Sequence, residues 1–164
     1  MVKVISLESL EKNRFEELAT LDKYFFTKYG NSFSDEFWTK ENFEYPLPSK
    51  YRLSFVILIN DIIKGYCISS IKNDSIYIHR FGVLCEVRQS DYFLNEILKE
   101  YRDKKIYLMV NVKNRPAISF YQKHEFNVVD KIDEIKPFIA SSLEIQENKI
   151  VINEGYECFL MRKV

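Results

Sequence analysis

The sequence lacks an excess of charge of either sign. Among its 164 residues, Lys and Arg together number 24, and Asp and Glu also number 24, so the formal net charge at pH 7 is zero. A chain without a basic excess creates no long-range field that would attract the phosphates of a nucleic acid or an anionic membrane surface. The composition therefore predicts neither nucleic acid nor membrane among the partners.

Patterns that indicate metal sites or disulfide frameworks are also missing. The three cysteines, Cys67, Cys85 and Cys158, stand at wide spacings and form no CxxC pair, and His79 and His124 are too few for a zinc signature. We therefore expect no metal, and reduced thiols that are mostly buried, as is typical of the cytoplasm. Cys85 lies beside the proposed cofactor loop described below and is a minor candidate for a reactive thiol.

Long apolar runs are absent as well. None approaches the roughly 20 residues that cross a bilayer, and the first ten residues mix apolar side chains with Lys3, Ser6 and Glu8 instead of forming a charged and then apolar leader. These features predict a cytoplasmic protein. Aromatic residues, in contrast, are abundant at 15% of the chain, which favours a folded core over disorder. The length fits a single domain over residues 1–164.

The apolar periodicity predicts an α+β domain. Three strands over Leu53–Ile59, Ile62–Ser70 and Ser75–Leu84 are separated by short polar turns and form an antiparallel meander. A helix over Asp91–Asp103 follows, and then a strand over Lys104–Asn111 that is apolar on both faces. A strand of this kind, reached through a helix, is typical of a parallel crossover. We therefore predict a mixed, mostly antiparallel central sheet flanked by helices. The other predicted elements are a strand over Val2–Ile5, a helix capped by Ser6 or Ser9 that reaches Tyr29, a helix over Ser34–Phe43, a short helix from Pro116 to His124, and strands over Phe126–Ile132 and Tyr156–Arg162.

The most informative motif follows the doubly buried strand. Residues 114–126 contain the pattern Asn-x-x-Ala-x-x-Phe-Tyr-x-Lys-x-x-Phe. This pattern closely resembles the last helix motif of the GNAT superfamily of N-acetyltransferases, and the order of elements resembles the GNAT fold from end to end. The resemblance implies an enzyme that moves an acetyl group from acetyl-CoA to a primary amine of a small molecule or peptide. Such enzymes transfer the group directly in a ternary complex.

The resemblance also implies roles for individual residues. Asn114 would contact the pantetheine arm of the cofactor, and Tyr121 would protonate the departing thiolate as a general acid. A phenol with a reference pKa of about 10 is protonated at neutral pH, so the chemistry of Tyr121 is consistent with this role. Ala117 lies one turn before Tyr121, and its small side chain leaves room for the cofactor. The main chain near Val83 and Leu84 would pair with pantetheine and orient the thioester carbonyl.

The phosphate-binding loop of the family is degenerate in this sequence. The family pattern Arg/Gln-x-x-Gly-x-Gly/Ala begins with a match at Arg88, but Asp91 and Phe93 occupy the two glycine positions. Glycine permits a phosphate to approach backbone N–H groups at a helix N-terminus. If Ser90 and Asp91 cap the helix instead, the carboxylate competes with phosphate for those donors, and Phe93 adds bulk.

Three interpretations of this departure stay open. Acetyl-CoA could still bind, with Arg88, Lys113 or Arg115 compensating for the lost glycines. The acyl group could instead come from an acyl-carrier-protein thioester, whose single phosphodiester avoids the pyrophosphate contact. The chain could also be a GNAT-like binding or scaffold protein that has lost catalysis.

The central strand supplies the candidate general base. Strand alternation places Tyr77, His79 and Phe81 on one face and Ile78, Arg80 and Gly82 on the other. His79, with a reference pKa near ~6.5, could accept the proton of the amine, although a purely structural strand histidine is the competing interpretation. Glu86 is a weaker candidate, and His124 is predicted to be a surface residue at a helix end.

Acceptor specificity would come from the N-terminal helices and the segment Asp133–Glu154. The first region is acidic and aromatic, a combination that suits a cationic amine but is also typical of solvated helix faces. Its members are Asp35, Glu36, Phe37, Trp38, Glu41 and Glu44. Homodimerisation through exposed strands or aromatic residues stays open.

Overall fold

The computed structural model describes residues 1–30, 33–84 and 87–164. Within them, nine strands form one sheet in the order β1-β2-β3-β4-β5-β9-β8-β7, and β6 pairs with β9. The strands are β1 Val2–Ser6, β2 Phe55–Ile59, β3 Ile62–Lys72, β4 Ser75–Val83, β5 Ile106–Asn111, β6 Phe126–Val128, β7 Glu144–Gln146, β8 Lys149–Asn153 and β9 Tyr156–Lys163. The α-helices are α1 Phe15–Tyr29, α2 Lys40–Glu44, α3 Lys50–Leu53, α4 Val87–Glu100, α5 Arg115–Lys123 and α6 Ile132–Ile135. The predicted α+β class and mostly antiparallel sheet are confirmed.

The sheet has one parallel contact among the described strands, and it is short. β4 pairs with β5 where Ile76 to Ile78 lie beside Ile106 to Leu108. Beyond that contact, β4 continues to Val83 and β5 to Asn111. A gap therefore opens between the carboxyl ends of the two central strands.

A β-bulge in β4 changes which side chains share a face. Ile68 lies opposite Arg80 while Ser69 lies opposite Ile78, so His79 is an extra residue in β4. As a result, Phe81 packs in the same core cluster as Ile78, against α4 and α5. Arg80 and Gly82 instead face α1. The alternation predicted from the sequence was wrong after Ile78, because it assumed an unbroken pleat.

Apolar side chains fill both faces of the sheet. On one face, residues of β4 and β5 pack with Phe93, Leu94 and Ile97 of α4 and with Tyr121 of α5. On the other face, α1 packs on β2 and β3, and a third cluster lies beneath the β8–β9 hairpin. β5 contributes to both faces, as expected for a central parallel strand.

Three predicted helices have different boundaries in the structure. The helix predicted from Ser34 begins only at Lys40, because Thr39 and Asn42 form a reciprocal capping box at that point. The helix predicted from Asp91 already includes Val87 and ends at Glu100. Ser90 and Asp91 therefore lie inside the first turns of α4 and are not its caps. Two 3₁₀ turns, Leu7–Ser9 and Lys12–Arg14, also precede α1, and the side chain of Ser6 caps the first of these turns.

Candidate functional site

Two cavities meet at the gap between β4 and β5. The first, which we call the helix-side cavity, has a volume of about 400 Å³ and lies between the end of β4 and the start of α5. The second, which we call the hairpin-side cavity, has a volume of about 300 Å³ and extends from β4 and β5 toward the β8–β9 hairpin. Both are lined by Phe33, Phe81, Asn114, Ala117 and Tyr121. A molecule in one cavity could therefore contact a molecule in the other at these residues.

Tyr121 lies on α5 where the two cavities join. Its ring packs edge-to-face against Phe81 and Phe126, and its side chain is almost fully buried. Burial raises the pKa of the Tyr121 phenol above its ordinary value. The group is therefore a protonated donor throughout the neutral range.

The start of α5 fixes two further predicted residues beside Tyr121. The Asn114 side-chain oxygen accepts a hydrogen bond from the Ala117 N–H at 3.3 Å, and Pro116 occupies the first turn. These are favourable N-terminal features of a helix, so the motif has a local folding role. The same helix start aligns Asn114, Ala117 and Tyr121 along both cavities.

The end of β4 directs part of its main chain into the gap. The Leu84 N–H donates to the carbonyl of Lys64 on the β3 side at 2.6 Å. Because backbone groups alternate along a strand, those of Val83 point to the opposite side, toward β5. The structure thus brings Val83 to the gap, where it lines the helix-side cavity, while the amide of Leu84 bonds elsewhere. Arg88 lies exposed in the first turn of α4, outside the described lining residues.

The two residues at the lost glycine positions have partners in the fold. The Asp91 carboxylate bonds the Lys123 ammonium and the His124 ring, each at 2.8 Å, and Lys123 contributes most to lowering the pKa of Asp91. Phe93 is fully buried and stacks on Phe81. The bulk of Phe93 therefore belongs to the core. The prediction that His124 is a surface residue was wrong, because its side chain is only 7% exposed.

His79 lines the hairpin-side cavity. Its Nε2 lies 2.6 Å from Ser70 Oγ, and its ring packs against Tyr77. Burial, followed by the charges of Lys72 and Lys50, lowers the pKa of His79 to about 4. The imidazole is therefore neutral at pH 7.

This low pKa makes the stability of the protein depend on pH. An unfolded histidine titrates near 6.5 and folded His79 near 4, so between these values only the unfolded state binds the proton. The stability contribution of neutral His79 is complete above pH 6.5 and is lost as the pH falls toward 4. Between about pH 7 and about pH 4, we expect wild type to lose up to about 3 kcal/mol more unfolding free energy than His79→Gln. Urea denaturation at the two pH values measures the unfolding free energy of wild type and of His79→Gln. Equal losses of unfolding free energy in the two proteins would contradict the expectation.

A buried ion pair that the sequence did not predict lies at the wall of the hairpin-side cavity, which Arg80 lines. Asp22 of α1 is fully buried, and both its oxygens accept from the Arg80 guanidinium, at 2.7 and 2.9 Å. The Tyr66 hydroxyl also donates to Asp22. The sequence does contain one signal, since Asp22 falls on the apolar stripe of α1 formed by Leu18, Leu21 and Phe25.

Metal and thiol chemistry find little support in the described part of the chain. It contains no group of three or more His, Cys, Asp or Glu side chains arranged to hold a metal. Burial raises the pKa of the Cys67 and Cys158 thiols to about 12, so both are unreactive near neutral pH. The candidate thiol Cys85 and the candidate base Glu86 lie outside the described residues.

The strand order, the single short parallel contact and the helix after β5 define the class of this protein. The chain has the fold of the GNAT N-acetyltransferases. No family model matches the sequence, and neither does any curated protein.

Several solved N-acetyltransferases are similar over nearly the whole chain. The ribosomal-protein-S18-alanine N-acetyltransferase of Escherichia coli superposes with a TM-score of 0.68 and 17% identity, covering 99% of this chain and 93% of that one. Naa50 of Arabidopsis thaliana, bound to the bisubstrate analogue CoA-Ac-MVNAL, superposes with a TM-score of 0.61 and 19% identity, covering 99% of this chain and 98% of that one. The PaiA N-acetyltransferase of Thermoplasma acidophilum in complex with coenzyme A superposes with a TM-score of 0.64 and 16% identity, covering 99% of this chain and 98% of that one. At such low sequence identities, the structural similarity establishes the fold alone.

Proposed function

We propose that this protein is an N-acyltransferase that moves an acetyl group from acetyl-CoA to a primary amine of a small molecule or peptide. The observation that carries the proposal is the meeting of two cavities at Tyr121. Direct transfer requires the donor and the acceptor to reach one point from different sides. Structures of like fold solved with coenzyme A or a CoA conjugate support this choice of donor.

In this proposal the helix-side cavity receives the pantetheine arm. The Val83 main chain faces the gap and can bond an amide of pantetheine as a neighbouring strand would. Asn114 and Ala117 form the opposite wall, and the small side chain of Ala117 leaves space for the arm. The thioester then lies beside Tyr121, and the hairpin-side cavity is left for the acceptor.

The proposed reaction joins the amine nitrogen to the thioester carbonyl carbon and breaks the carbon–sulfur bond. Tyr121 donates its proton to the departing sulfur, which leaves as the CoA thiol, and the phenolate regains a proton from water. The amine must lose a proton to become nucleophilic and another as the amide forms. His79 is neutral at pH 7 and lines the acceptor cavity, but with a pKa of about 4 it is a weak base. We therefore propose that His79 relays protons from the amine to water rather than retaining them.

The pyrophosphate would be held by side chains in place of a glycine loop. Arg88, Lys113 and Arg115 are exposed, and Lys113 lines the helix-side cavity, whereas Arg88 and Arg115 are only close in the chain to the lining residues Ser90 and Asn114. Because Lys123 and His124 already bind the Asp91 carboxylate, it is not free to compete with phosphate.

We expect Asp91→Asn to change acetyl-CoA affinity by less than about threefold, since screened, partly exposed ion pairs contribute little. Lys113→Ala serves as the comparison, because removing a cavity cation should weaken binding and reduce its salt dependence. Calorimetric titration measures both variants. A tenfold or larger gain of affinity (roughly 1.4 kcal/mol) in Asp91→Asn would contradict the expectation.

The acceptor side suits an amine on a flexible chain. The E. coli neighbour acts on an alanine of ribosomal protein S18, and the Arabidopsis neighbour was bound to an analogue containing the sequence MVNAL. In this chain, the Asp35 carboxylate lines the hairpin-side cavity together with aromatic side chains, a combination that favours cationic amines. A suitable acceptor panel contains an alanine-leading peptide, the peptide MVNAL and a simple diamine.

The test of the proposed function is calorimetric titration with acetyl-CoA at low and moderate salt, followed by thiol release with the acceptor panel. We expect a Kd of roughly micromolar size, corresponding to about −8 kcal/mol, and turnover that depends on the amine. If acetyl-CoA does not bind, a carrier-protein thioester is tested next. Failure of both donors would overturn the enzymatic assignment in favour of a binding or scaffold role.

The proposed location of the enzyme is the cytoplasm. Cys67 and Cys158 are buried as free thiols, a state that persists in reducing compartments. Among the described residues, no helix combines the length and apolarity needed to span a membrane.

A further inference from the structure

One wall of the hairpin-side cavity is an irregular segment. We call residues 33–38, which connect α1 to α2 without helix or strand, the connecting segment. Phe33, Ser34, Asp35 and Trp38 of this segment all line the cavity. A wall without a backbone ladder must be fixed by other contacts if it is to present a defined surface.

Those contacts come from the Asp22–Arg80 pair. Arg80 donates from Nη1 to Ser34 Oγ at 2.8 Å and from Nη2 to the Glu36 carbonyl at 2.6 Å. Asp22 accepts from the Trp38 N–H at 2.6 Å. The pair therefore bonds the beginning, middle and end of the connecting segment.

Aromatic contacts strengthen the same attachment. The Arg80 guanidinium lies over the Phe33 ring at 5.1 Å and over the Trp38 ring at 4.9 Å. A planar guanidinium can bond a carboxylate bidentately while it stacks on rings, whereas a lysine ammonium cannot combine these contacts. The β-bulge at His79 is what places Arg80 on this face of the sheet, beside the gap.

We propose that Asp22 and Arg80 are positioning residues for the acceptor: they hold the connecting segment as a rigid wall of the acceptor cavity. This inference rests on the proposed function, because that function assigns the hairpin-side cavity to the amine. Arg80 also lines the hairpin-side cavity, but both residues are proposed to act by holding the connecting segment, and neither takes part in the bond changes. Loosening it should misplace the acceptor much more than the donor, because four residues of the segment line the hairpin-side cavity and only Phe33 also lines the helix-side cavity.

The test compares Arg80→Lys, which keeps the charge but loses the planar fork, with Arg162→Lys as a matched control. Arg162 pairs with Glu134 of α6, away from the residues that line either cavity. Trp38 is the only tryptophan in the chain, so its acrylamide quenching reports on the connecting segment alone. Acetyl-CoA affinity by calorimetry and KM for the best amine of the panel complete the measurements.

In Arg80→Lys we expect Trp38 quenching to rise and KM for the amine to increase about 10- to 100-fold, with acetyl-CoA affinity changed by less than about twofold. The control variant Arg162→Lys should leave Trp38 quenching, the amine KM and the acetyl-CoA affinity unchanged. Should Arg80→Lys fail to fold, Ser34→Ala removes one bond of the attachment and should still raise the amine KM. A merely structural role would lower the melting temperature without separating amine KM from acetyl-CoA affinity, and that result overturns the inference.

The outcomes also separate this inference from the proposed function. Unchanged Trp38 quenching in Arg80→Lys overturns the inference whatever the activity of the enzyme. Wild-type protein that binds acetyl-CoA but acetylates no amine of the panel overturns the acceptor role of the cavity. Wild-type turnover together with equal amine KM in wild type and Arg80→Lys leaves the proposed function standing and removes the positioning role.

Discussion

Replacement of Tyr121 by Phe is expected to lower kcat by roughly 10²-fold or more, with little change in acetyl-CoA affinity. The substitution removes only a hydroxyl, and the ring contacts with Phe81 and Phe126 that hold α5 in place persist. Without the phenol, the sulfur must leave as an unprotonated thiolate in a largely apolar site. The loss should therefore fall on turnover and not on binding.

The matched control is Tyr107→Phe, which removes a hydroxyl that donates to Glu134 and lies outside the described lining of both cavities. Steady-state kinetics by thiol release, with calorimetry for acetyl-CoA, measure both variants. Because burial raises the pKa of Tyr121, the wild-type rate should show no alkaline loss from this group below its ordinary value of about 10. A nearly active Tyr121→Phe enzyme would remove the phenol from the mechanism.

The sequence allowed the fold to be predicted where periodicity was regular. The meander, the crossover helix and the doubly apolar strand at Lys104–Asn111 all carry local patterns that a single window of residues reveals. The motif from Asn114 to Phe126 likewise contains its own helix start, so its cavity-facing residues could be named. Each of these inferences needs only residues that are close in the chain.

The features that were mispredicted depend on distant partners. The bulge at His79 reflects the register of β4 against β3, so strand alternation alone could not place Arg80. Asp91 follows the rules for a helix cap, but its real partners, Lys123 and His124, lie at the C-terminal end of another helix. The Asp22–Arg80 contact joins residues 58 positions apart. Such contacts are tertiary, and they override local preferences.

Asp22→Asn is expected to lower the free energy of unfolding by about 3–5 kcal/mol, the largest stability effect that we predict for a single substitution. Asparagine keeps the shape of the side chain, and its one oxygen can still accept from the Trp38 N–H, while its NH₂ group can donate to the Tyr66 hydroxyl oxygen in place of the bond that Tyr66 donates to Asp22. It leaves Arg80, which is only 9% exposed, without a counter-charge in the protein interior. The cost therefore arises from an uncompensated buried charge and not from a cavity.

Urea denaturation measures the loss, and the exposed pair Arg14–Glu17 provides the comparison. Glu17→Gln should cost no more than about 1 kcal/mol, because solvent screens that pair. The double variant Asp22→Leu with Arg80→Met removes both buried charges and should be less destabilised than Asp22→Asn. The free energy of unfolding of the double variant should still be lower than that of wild type, because Ser34, Tyr66 and the Trp38 N–H lose their hydrogen-bond partners. A double variant as unstable as the single one would mean that these hydrogen bonds, and not the charge, dominate the contribution of the pair.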